Sequence, residues 1–71
     1  MKPTLYREVK RKLEATGFVQ VGQTGSHSKF AKTTSEGTLT ATVPKHRDVA
    51  PGTLRSILRQ ARISEQEFKR L

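Results

Sequence analysis

The sequence predicts a small α+β domain in the order α-β-β-β-α, closed by a short helical turn, with its helices on one face of a three-stranded antiparallel sheet. Two observations carry this. Apolar residues recur at helical spacing near both ends of the chain, and between them polar and apolar residues alternate across segments broken by glycine. A third sets the scale: 71 residues without cysteine give one domain, 1–71, with a small core and neither a disulfide framework nor a thiolate metal site. Burial in so short a chain barely exceeds the entropy of ordering it, so marginal stability or a stabilising partner is expected.

Thr4 is placed to cap a first helix in which Leu5, Val9 and Leu13 recur every four residues, and Gly17 ends it. Phe18-Val19-Gln20-Val21 reads as a short strand, followed by a turn at Gly22 to Gly25. His27 to Thr34 and Leu39 to Val43 read as two more strands, and Pro44 closes the second of these. If Glu36 and Gly37 are the two loop residues of the hairpin, Phe30 faces Val43, Lys32 faces Ala41 and Thr34 faces Leu39. The apolar members then share one face and a polar set shares the other. This register also sets His27 opposite His46 at the open end of the hairpin.

A second helix begins near Pro51-Gly52-Thr53, with Leu54, Ile57, Leu58 and Ala61 as its apolar stripe and Arg55, Arg59 and Arg62 as a basic stripe beside it. Ser64-Glu65-Gln66-Glu67 is a capping box, with Ile63 and Phe68 as its hydrophobic staple. This arrangement leaves one sheet face open, and function is expected there.

Fourteen Lys and Arg against six Asp and Glu give a net charge of +8, a field that concentrates polyanions, nucleic acid above all. Phosphate-loop and dinucleotide motifs, paired carboxylates and a metal-ligand cluster are missing from the sequence, so no metal and no cofactor are expected. No apolar run is long enough to span a membrane, and no signal peptide is visible, which reads as a soluble cytosolic protein. Ser26, His27 and Asp48 could supply a triad by composition, but adjacent strand residues point to opposite faces.

Metal-free chemistry on an RNA phosphodiester fits what remains. RNA brings its own nucleophile, the 2′-hydroxyl, so an enzyme needs only proton-transfer groups and cations for the phosphate. Histidine suits the first task and Lys or Arg the second. His27 with Lys29 two residues along the same face provides both, and His46 is a second candidate through the hairpin register. Against this, a lone strand histidine is ordinarily a surface or capping residue, and a basic helix stripe is ordinarily a solvated face. Composition and spacing alone therefore describe a basic α/β domain that binds nucleic acid.

Several segments together resemble the HicA family of bacterial toxins. They are Gly25-Ser26-His27 followed by Phe30, Val43-Pro44 followed by His46, and the Gly52-Thr53-Leu54-Arg55 helix followed by Ile63-Ser64 and Glu67-Phe68. The similarity covers nearly the whole chain, and the Gly-Thr-Leu-Arg helix is its most specific part. It implies a double-stranded-RNA-binding-like fold and a ribosome-independent mRNA interferase of the bacterial cytoplasm, neutralised by a HicB antitoxin. The family's essential histidine falls on His27. Two positions depart from the family pattern: Ser28 stands where many members have a second histidine, and Arg62 where many have glycine. Arg62 must either accept a left-handed conformation or end the helix differently.

The leading expectation is thus a histidine-dependent endoribonuclease toxin acting on mRNA, with His27 catalytic and Lys29, His46, Arg55 and Arg59 on RNA. The alternatives are a non-catalytic RNA-binding module and a basic surface that docks an acidic protein. A duplex-RNA binder would ordinarily start its second helix with lysines, whereas this chain has Ala50-Pro51-Gly52-Thr53 there.

Overall fold

The computed structural model describes residues 2–71. The chain runs β1 (Thr4–Leu5), α1 (Tyr6–Ala15), β2 (Val19–Thr24), β3 (His27–Thr34), β4 (Gly37–Pro44), β5 (Asp48–Val49), α2 (Pro51–Ala61) and α3 (Glu65–Arg70). Strands β2-β3-β4 form an antiparallel sheet in that order, and β1 pairs with β5 in a separate two-stranded ribbon. The overall extents of 32 × 30 × 17 Å leave room in the thin direction for one sheet and one layer of helices, as the sequence predicts. Phe30, Ala41 and Val43 project from the sheet into a core completed by Val9 and Leu13 of α1 and Leu54, Ile57, Leu58 and Ala61 of α2.

Helix α1 ends where Gly17 predicts. Gly17 has φ 102°, and the N–H groups of Gly17 and Phe18 return to the carbonyls of Glu14 and Leu13, which is a Schellman closure. Its start differs from expectation. Thr4 does not cap the helix, because residues 4 and 5 are drawn out as β1, opposite Val49 and Asp48. Leu5 occupies the N-cap position without a side-chain cap, and Tyr6 N–H donates to Arg47 O at 3.0 Å.

The β3–β4 hairpin is also two residues out of the expected register. Thr34 pairs with Gly37, so the loop is Ser35-Glu36, and Phe30 faces Ala41 while Val43 faces Ser28. Gly37 takes φ 128° just after the turn instead of within it, and Thr34 Oγ1 brackets the turn by accepting from Glu36 N–H and donating to Gly37 O. A shift of two preserves the parity of the pleat, so the apolar face is the one expected. The juxtaposition of His27 with His46 is lost: His27 faces Pro44, and His46 lies beyond the strand.

At the other end of the chain, Arg62 resolves its dilemma by adopting φ 57° and ψ 42° after α2. Ile63 N–H then reaches Leu58 O at 2.9 Å, and Ser64 Oγ caps α3 by accepting from Glu67 N–H at 3.0 Å. A left-handed non-glycine residue costs about 1–2 kcal/mol. Arg62→Gly is therefore expected to stabilise the domain by about 1 kcal/mol, raising the melting temperature in circular dichroism by about 4–8 °C. An unchanged or lower midpoint would mean that contacts of the arginine side chain offset the strain.

Candidate functional site

The open sheet face carries His27 and Lys29 on β3, with Thr24 and Gly22 of β2 on one side and Pro44 and Thr42 of β4 on the other. His27 and Lys29 are both exposed. As i and i+2 of one strand they stand about 7 Å apart, close enough for both side chains to reach a single phosphodiester. The turn before His27 is the two-residue loop Gly25-Ser26, with φ 57° at Gly25, as a tight hairpin with glycine at its first central position requires. This turn brings His27 to the very end of the sheet.

Between these two exposed residues, Ser28 points the other way and is fully buried. Its hydroxyl accepts a hydrogen bond from Tyr6 Oη at 2.7 Å, which ties the start of α1 beneath the start of β3. On the other side of His27, Ser26 O accepts the backbone N–H of Lys45. Each chain neighbour of His27 is thus fastened to another element. The segment Lys45-His46-Arg47 then turns around the end of the sheet toward β5.

The predicted residues do not all converge. Lys29 shares the face of His27. His46 instead lines a hollow with Leu5, Tyr6, Arg7, Lys45 and Arg47. Arg55 and Arg59 are exposed on α2, where they line a separate groove with Leu58, Ile63, Ser64 and Glu65. Sequence reasoning did not single out Tyr6, Lys45 or Arg47. The Lys-His-Arg run after Pro44 was a visible charge cluster, but nothing in the sequence links Tyr6 to Ser28.

Among the described residues Arg11 is the one Lys or Arg held in an ion pair, with Glu8, while Lys12 and Lys32 lie over the Phe68 and Phe18 rings. The Arg11 guanidinium, hydrogen-bonded to Glu8, holds that carboxyl below its ordinary range. Its small contribution to stability is present above the unfolded carboxylate range and is lost as pH falls through it. Among the described residues no three His, Asp or Glu side chains gather into a metal site, and no helix is long and apolar enough to cross a membrane.

Residues 6–63 match the family model described as "HicA toxin of bacterial toxin-antitoxin". The chain belongs to the HicA toxin family. The match spans α1 through the Arg62 turn, so it includes the whole sheet, His27 and the hollow's Tyr6, Arg7 and 45–47 residues. No curated protein sequence matches the chain. As a HicA-family toxin the chain is one half of a toxin–antitoxin pair, and its partner is an antitoxin.

Proposed function

We propose that this HicA-family toxin is a metal-independent endoribonuclease that cleaves mRNA. The carrying observation is His27 and Lys29 side by side on the open face, at a sheet end whose backbone is fastened on both sides of the histidine. In this reading the phosphodiester lies over the end of β3. His27 takes the proton of the 2′-hydroxyl, whose oxygen attacks the adjacent phosphorus. The bond to the 5′-oxygen breaks and that oxygen takes a proton from water, whose hydroxide is neutralised by the proton His27 gained, leaving a 2′,3′-cyclic phosphate and a 5′-hydroxyl. Lys29 stabilises the charge gathering on the phosphoryl oxygens. With the hairpin register two residues from the expected one, His46 has no place as a proton donor opposite His27.

The test is incubation of the purified protein with a long single-stranded RNA in EDTA, beside His27→Ala. Cleavage by the parent alone, with cyclic-phosphate ends, supports the reading. Cleavage by both variants removes His27 from the chemistry. Binding without cleavage in both leaves an RNA-binding module.

We further propose that the antitoxin is HicB-like and neutralises the toxin by covering His27 and the cations around it. The exposed Val19 and Val21 on the edge strand β2 give that covering partner an apolar margin. Stoichiometric antitoxin is expected to abolish cleavage, and undiminished cleavage in its presence contradicts this mode of neutralisation.

A further inference from the structure

The hollow at the end of the sheet has no role in the cleavage step, yet it adjoins the cleavage site through two hydrogen bonds. It has a volume of about 380 Å³ and is lined by Leu5, Tyr6, Arg7, Lys45, His46 and Arg47. Three of those side chains are permanent cations, and none is a carboxylate. Glu8, the acidic residue of the adjoining first turn of α1, is engaged by Arg11. Tyr6 is half-buried, packs against the core and has its hydroxyl fixed on Ser28, so its ring is held rigidly in the wall.

We propose that this hollow holds one nucleotide of a single-stranded RNA, next along the strand from the phosphodiester at His27. The inference rests on the RNA-cleaving reading above and extends it from one phosphate to the neighbouring nucleotide. A fixed aromatic ring offers a stacking face to any base, and arginine and lysine around it hold the flanking phosphate. The first turn of α1 adds the positive end of its helix to the same wall. Connectivity places the nucleotide relative to the reaction: Tyr6 is bonded to Ser28 and Lys45 to Ser26, the two residues that flank His27. A strand passing over the end of the sheet from His27 therefore meets Lys45 first, held at Ser26, and reaches Tyr6 only beyond it, beneath β3.

The probe is a 2′-O-methylated hexanucleotide of mixed sequence, which cannot be cleaved because its nucleophile is blocked. It is titrated into isotopically labelled protein, with backbone amide shifts and affinity as readouts and a thermal melt to confirm that each variant is folded. Arg7, His46 and Arg47 amides are expected to shift together with those of His27 and Lys29. Tyr6→Leu and Arg47→Gln are each expected to weaken binding about tenfold. Because Arg47 is exposed, its variant keeps the test decisive even if Tyr6→Leu loses its fold. Shifts confined to His27 and Lys29, with unchanged affinity in Arg47→Gln, overturn the proposal and leave the cleavage reading standing. No RNA binding at all removes both. Shifts in the hollow on adding the antitoxin but not RNA assign it to the protein partner and overturn the proposal.

Discussion

On the proposed endoribonuclease reading, His27→Ala is expected to lower RNA cleavage by about 10²–10⁴-fold, the range in which a positioned proton-transfer group acts. Because His27 is exposed at the end of a strand, its removal is expected to leave the melting transition within about 0.5 kcal/mol of the parent. That separation of activity from stability is what identifies a chemical role. A parallel loss in both would indicate that His27 shapes the hairpin. Lys29→Met is expected to lower cleavage less steeply, since the other cations at this end of the sheet still attract the strand. Cleavage at the parental rate by folded His27→Ala would remove the histidine from the mechanism.

Phe30→Ala is expected to cost about 3–5 kcal/mol, a large part of the about 4–10 kcal/mol available to a 71-residue chain. Phe30 is fully buried in the middle of β3, the central strand, so the cavity left behind opens within the core cluster that also holds residues of α1 and α2. Urea denaturation should show the variant unfolding at low denaturant or lacking a cooperative transition. Val19→Ala, which trims an apolar side chain at an exposed position, should shift the midpoint little. Antitoxin at a hundred times its dissociation constant contributes about 2.7 kcal/mol, enough to restore part of the folded population. A midpoint for Phe30→Ala equal to that of Val19→Ala would mean that the core does not rest on this ring.

What could be read from the sequence was what repeats or what is local. The stripe of Leu54, Ile57, Leu58 and Ala61 shows itself at helical spacing, and all four residues are buried. Gly17 and the Ser64 cap act within a few residues and make the backbone bonds their chemistry predicts, although the reciprocal Glu67 half of the capping box does not form. Gly37 was harder, because glycine serves a tight hairpin either inside the loop or directly after it, and only the pairing decides. The faces of the sheet survived that error because side-chain alternation is blind to a shift of two, whereas the partner of His27 did not. The β1–β5 ribbon is two residues long on each side, too short for any periodicity to announce it, and it displaced the cap expected at Thr4. The site divides the same way. His27 and Lys29 were legible as a two-residue alternation, while the Tyr6–Ser28 contact joins positions 22 residues apart.

The β1–β5 ribbon also bears on when this protein becomes dangerous to the cell that makes it. The two hairpins of the central sheet join neighbouring segments and can form as soon as they are synthesised. Thr4 must wait for Val49, and Tyr6 N–H for Arg47. A nascent chain still short of residue 49 therefore displays His27 on a hairpin whose supporting wall has not yet been translated, and the core residues of α2 follow later still. On the endoribonuclease reading, a chain ended just before residue 48 is therefore expected to show no RNA cleavage, although it contains His27, Lys29 and the whole central sheet.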